Sequence, residues 1–139
     1  MIHWSNRFVG IPYVEFGRDR DGVDCWGLAV LVYRELRGIE LPSYTEGFVS
    51  SPEREELAAL INNASDDGLW TMADSPASLD VAVFRRGALE THVGIITNIP
   101  GYMLHAAAGG QSKHEAYDAG RWSHRLTGIY RHREMSIDG

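Results

Sequence analysis

The sequence predicts an α+β fold, with N-terminal helices packed on one side of an antiparallel β-sheet. Three observations lead there. Helical spacing of apolar residues is confined to the first half of the chain, while strand-like segments run from Asp80 to Arg131. The 139 residues bury roughly two-thirds of their unfolded surface, enough for a single core spanning 1–139. Neither an internal repeat nor a low-complexity tract divides the chain.

The elements follow in order. A short amphipathic piece around Trp4 to Val9 leads through a glycine-containing loop to the best helix of the sequence. From Cys25, positions Leu28, Ala29, Val32, Tyr33 and Leu36 recur at helical spacing, Asp24 serves as N-cap, and Gly38 supplies the stop. An irregular connection from Leu41 to Ser51 precedes a second helix from Glu53 to about Asn63, capped by Ser50 or Ser51. Its acidic first turn suits the helix dipole. Asn62 to Ser78 is turn-rich. Strands are expected at Val81–Phe84, Thr91–Thr97 and from Tyr102 to Ala106, with a break at Gly109 and Gly110. Residues 134–139 read as a loose tail.

Cys25 is the only cysteine, and it stands at the first turn of the first helix. The positive end of the macrodipole and the unsatisfied amides of that turn favour thiolate over thiol, which makes Cys25 a candidate nucleophile. The backbone N–H of Cys25 is the matching oxyanion donor. The competing reading of a lone cysteine is a small buried hydrophobe.

The histidines decide between these readings. Period-2 alternation puts His92, Gly94 and Ile96 on one face of their strand. If residues 98–101 form the following loop, Thr97 pairs with Tyr102 and Gly94 lies opposite His105. His92 then becomes the diagonal neighbour of His105, with Cβ atoms roughly 7 Å apart, a gap two imidazoles can span. A slip of one residue would turn one ring away, so the register is a requirement of the chemistry.

Cys25, His92 and His105 thus offer a nucleophile, a base and an orienting partner. At these residues the chain resembles the NlpC-type cell-wall peptidases, papain-like cysteine enzymes that cut the peptide stems of bacterial peptidoglycan. The matching pieces are Val9-Gly-Ile-Pro-Tyr13, Asp24-Cys-Trp-Gly-Leu28, the strand from Asp80 to Phe84, His92-Val-Gly-Ile95 and Leu104-His-Ala106. The resemblance implies a papain-like NlpC-type fold and no cofactor, with the peptidoglycan stem peptide as substrate. It also implies a catalytic set of Cys25, His92 and His105, and substrate contacts at Tyr13, beside the reacting carbonyl, and Asp24, toward the substrate amine. The plainer roles are a ring anchored on the core for Tyr13 and a helix cap for Asp24. Trp26 joins them as a candidate cleft residue, standing where cellular members carry a small hydroxyl residue. Leu79 replaces the glycine that commonly precedes the strand aspartate.

Within the family, Trp26, the segment Leu41-Pro-Ser-Tyr44 and the closing Arg125–Arg131 are similar to the tail-tip peptidases of tailed phages and phage-derived particles. This implies tail-tip or hub proteins as partners, and action in the periplasm or cell wall after synthesis in a host cytoplasm. The first residues carry neither a basic leader nor an apolar core, so delivery by a particle is the expected route.

Composition narrows the field. The formal charge of −6 argues against general nucleic-acid binding. No stretch approaches the ~20 apolar residues of a membrane span, and a single cysteine allows no internal disulfide. Arg18, Arg20, Arg121, His124, Arg125, Arg131, His132 and Arg133 form local basic groups, read as solvated surface or as a rim attracting stem-peptide carboxylates. Three alternatives stay open: a zinc site using Cys25, His92 and His105, a structural tail-assembly protein that kept the fold, and an amidase or transpeptidase working through the same acyl-enzyme.

Overall fold

Helix α1 (Cys25–Arg37) opens on Asp24, whose extended backbone and side chain cap it: Asp24 Oδ1 accepts the Gly27 amide at 2.7 Å. Gly38 closes it in the left-handed region at φ 66°, its amide donating to Arg34 O at 3.1 Å. Only glycine takes that turn without a Cβ penalty. Every residue from Cys25 to Tyr33 is buried, so the helix is enclosed on all sides over its first two turns rather than merely laid on a sheet.

The computed structural model describes residues 4–14, 17–41, 70–86, 89–97, 99–106 and 109–132. The expected second helix, nearly all of the Leu41–Ser51 connection and the tail at 134–139 lie outside these residues.

Ahead of α1 come a 3-10 turn (Trp4–Phe8) and a hairpin of two short strands, β1 (Arg18–Asp19) and β2 (Gly22–Val23), within the stretch expected to be loop. After it come β3 (Trp70–Met72), β4 (Val81–Arg86), β5 (Leu89–Ile96), β6 (Tyr102–His105), β7 (Lys113–Ala116) and β8 (Leu126–His132). These six form one antiparallel sheet in the order β3-β8-β4-β5-β6-β7. The architecture is therefore α+β with an antiparallel sheet, as the sequence predicts. One correction concerns β3, which lies inside the segment expected to be turn-rich. Its anchor is Trp70, fully buried with its ring 5.0 Å from His132, 6.0 Å from Tyr33 and 6.1 Å from Trp26.

Alternation along the strands gives the sheet two apolar faces. Val81, Val83, Val93, Ile95, Leu104 and Tyr130 join the α1 core, while Ala82, Phe84, Ile96, Met103, Tyr117 and Trp122 form a second cluster. A buried carboxylate ties the sheet at the start of β4. Asp80 accepts two hydrogen bonds from Arg131, at 2.9 and 2.8 Å, and one from the Ala77 amide at 2.9 Å. A satisfied buried carboxylate of this kind is a structural feature. The Asp80 hydrogen bond raises the Arg131 pKa above its ordinary value.

The N-terminal segment is strapped to the far edge. The Gly10 amide donates to Ser112 O at 2.9 Å, the Ser112 amide to Ile11 O at 2.8 Å, and the Ile11 amide to Ser112 Oγ at 2.9 Å. Ser112 Oγ in turn donates to Phe8 O. Ser5 Oγ and His114 Nε2 meet at 2.6 Å.

Candidate active site

Cys25 is the first residue of α1 and is buried. The helical ladder begins with the Leu28 amide on Asp24 O at 3.0 Å, so the Cys25 amide precedes it, at the positive end of the macrodipole. Cys25 comes from a different layer than the histidines, but α1 packs against β5, the strand that carries His92.

The register of β5 and β6 pairs Ile95 with Leu104 and Ile96 with Met103, and the Thr97 amide donates to Tyr102 O at 3.2 Å. Continued inward, this register sets Gly94 opposite His105 and His92 diagonal to it. The diagonal contact is made: His92 Nε2 and His105 Nδ1 are 2.9 Å apart, in the buried interior. On the same face as the two rings, Gly94 leaves room for Met103, since a Cβ there would overlap Met103 Sδ. Across β6 the pattern repeats. His105 pairs with Lys113 and Met103 with Glu115, and His105 Nε2 lies 2.8 Å from Glu115 Oε1. Lys113 Nζ stands 3.9 Å from the same oxygen. The result is a chain of His92, His105 and Glu115 across three adjacent strands.

Aromatic rings hold the pair in place. Trp122 stacks on His92 with centroids 4.8 Å apart at 20°, and meets His105 edge-on at 5.3 Å. Phe84 packs against both Trp122 and His92, and the Arg125 guanidinium lies 5.7 Å from the Trp122 ring.

The approach to Cys25 is built from tight backbone. A Cβ on Gly27 would overlap Gly17 O, so the segment carrying Gly17 and Arg18 packs directly on the first turn of α1. Arg18 Nη1 donates to Asp24 Oδ1 at 2.7 Å and to Gly17 O at 2.9 Å. Asp24 is thus fully buried, capping the helix and pairing with Arg18. Tyr13 is partly buried against the core and forms a parallel bridge with Val23, two residues before the thiol.

The description "NlpC/P60 family" matches residues 10–131, a span holding all of these residues. The chain belongs to the NlpC/P60 family. Among solved structures, this NlpC/P60 domain is similar to the NlpC/p60 domain of the peptidoglycan hydrolase SagA, with a TM-score of 0.61 and 18% identity over 91% of this chain and 92% of that one. An NlpC/P60 family protein from Bacillus cereus ATCC 10987 gives 0.65 and 19% over 92% of this chain and 37% of that one. A lipoprotein-like NLP/P60 family protein from Staphylococcus aureus Mu50 gives 0.61 and 22% over 91% and 38%. This chain therefore spans little more than a third of the last two. At such identities the likeness is one of fold. No curated protein matches the chain.

Two site expectations for this NlpC/P60 domain change with the structure. Trp26 is a core residue and not a cleft residue: its ring is fully buried edge-on against Trp70, because its position one step past Cys25 turns it into the packed interior. Glu115 was absent from the expected set. The diagonal-neighbour rule that joined His92 to His105 also joins His105 to Glu115, once the strand after residues 109–110 is paired in register. Among the described residues no group of three His, Cys, Asp or Glu is arranged to hold a metal ion.

Proposed function

We propose that this NlpC/P60 domain is a cysteine peptidase that hydrolyses amide bonds in the stem peptides of peptidoglycan. The Cys25 thiol gives its proton to His92 Nδ1, and the thiolate attacks the stem-peptide carbonyl. The Cys25 N–H holds the oxyanion, His92 protonates the leaving amine, and a water deprotonated by His92 releases the acyl group. The observation that carries this reading is the buried 2.9 Å contact between His92 Nε2 and His105 Nδ1. It commits Nε2 to the orienting partner and turns Nδ1 to the other side of the ring, which is the division of labour a thiol base needs. Family membership supports the choice of substrate. In this reading Tyr13 borders the cleft, while Asp24 acts by holding the first turn of α1.

The setting proposed is the tail tip of a phage or phage-derived particle, in contact with other tip or hub proteins, opening the wall for DNA delivery. The similarity of Leu41-Pro-Ser-Tyr44 and Arg125–Arg131 to such peptidases supports it. Mass spectrometry of purified peptidoglycan digested with the protein and with its Cys25→Ala variant tests the chemistry. New stem-peptide termini are expected from the first and none from the second. Cleavage that survives Cys25→Ala, or that stops with a chelator and returns with zinc, would replace the cysteine mechanism by a metal one.

A further inference from the structure

We infer that Glu115 is a positioning residue that fixes the direction of the proton chain ending at His92; the inference builds on the peptidase reading above. An ionised carboxylate can only accept hydrogen bonds. With Glu115 Oε1 at 2.8 Å, neutral His105 therefore carries its proton on Nε2 and presents Nδ1 as an acceptor. His92 must then donate from Nε2 across the 2.9 Å contact, which leaves the lone pair on its Nδ1. One carboxylate two strands away thus selects the tautomer of both rings, and it selects the one that can take a thiol proton.

The same polarity serves the charged state. When Cys25 transfers its proton to His92 Nδ1, the imidazolium keeps donating from Nε2, His105 keeps donating to Glu115, and no bond in the chain reverses. The thiolate and the imidazolium form together, so charge balances within the site. The Glu115 charge, reaching His92 through His105, stabilises that cation. Lys113 Nζ stands 3.9 Å from Glu115 Oε1, a cation beside the carboxylate. Titratable groups facing Glu115 include His105 on β6 and Lys113 on its own strand, with His92 behind His105.

The position is suited to this task rather than to contact with substrate. Glu115 is half-buried at the outer end of the chain, on the strand beyond His105. A merely structural carboxylate would leave the ring tautomers untouched, and that separates the two roles.

The test is imidazole nitrogen NMR on the resting, full-length protein and on Glu115→Gln, which distinguishes protonated from unprotonated ring nitrogens. In the unaltered protein both His92 and His105 are expected to carry their proton on Nε2. In Glu115→Gln, whose amide can donate as well as accept, this preference is lost. Its kcat on peptidoglycan falls about 10- to 100-fold with KM unchanged. The histidine-dependent limb of its pH profile moves to lower pH, because the imidazolium has lost a neighbouring anion. Glu115→Asp, which keeps the charge, recovers part of the rate. A proton on His105 Nδ1 in the unaltered protein overturns the inference, as do unchanged tautomers and pH profile in a folded Glu115→Gln. Tautomers that follow Glu115 in a protein that cuts no peptidoglycan would uphold the role of Glu115 and refute the peptidase reading instead. If Glu115→Gln fails to fold, the tautomers of the unaltered protein decide alone.

Discussion

His92 spends one ring nitrogen on His105, and this fixes how far damage at either residue spreads. In the proposed mechanism loss of His92 removes the proton acceptor, so His92→Ala should cost nearly as much kcat as Cys25→Ala, since nucleophile and base would act as one unit. His105→Ala should cost less, about 10- to 100-fold, and Asn or Gln should recover part of it by still accepting the His92 N–H. Single-turnover kinetics on a stem-peptide substrate would check the order. A silent His105→Ala would remove His105 from the mechanism. The place of Cys25 at a helix start and the pairing of His92 with His105 were legible in the sequence because each follows from a short pattern of helix or strand period. Glu115 was not, because the strand that carries it follows a break whose length sets the register. Trp26 misled for a different reason: its neighbour Cys25 marked the region as a cleft, whereas the enclosure of α1 on all sides shows only in three dimensions.

At the scale of the element, Leu79 is the position where local conformation and burial conflict. It is the one non-glycine residue with positive φ among the described residues, at 76°, and it is nearly buried. Its amide donates to Ile96 O at 2.8 Å, and its carbonyl accepts the Tyr33 hydroxyl. Burial, and after it the Asp80 charge, raises the Tyr33 pKa far above its ordinary value, so the phenol stays a donor. Leu79→Ala loses apolar burial and keeps the strained backbone, at a cost of about 2–4 kcal/mol. Leu79→Gly loses the same burial but relieves about 1 kcal/mol of left-handed strain. Glycine is therefore expected to be less damaging than alanine here, the reverse of the usual order, and urea unfolding of the two variants would show it. The ends of α1 were readable because Asp24 and Gly38 are strong caps. β3 was not, since three residues carry too little alternation and the strand is defined by its pairing with the distant β8.

For the molecule as a whole, the sheet, the enclosed helix and the three-strand histidine chain make one unit, and its proposed setting is a particle. Purified particles should carry the protein at the tail end, located by antibody labelling. Particles with Cys25→Ala should assemble and adsorb normally yet deliver DNA poorly through intact peptidoglycan. Protein found only in the cytosol of producing cells would refute that setting. The α+β class was readable because the strongest helical spacing precedes the strands that form the main sheet. The order of the sheet was not, because β3 and β8 join it from distant parts of the chain.

The strap between the N-terminal segment and Ser112 has a consequence for the order in which the fold closes. Residues 5 to 13 find their partners at 110 to 114, about a hundred residues later. A chain folded no further than His105 still lacks both the edge that holds its beginning and the Glu115 carboxylate beside the pair. Contacts of such long range close slowly. The strap and the Glu115 end of the histidine chain therefore close late in folding, and a product cut before residue 110 lacks both.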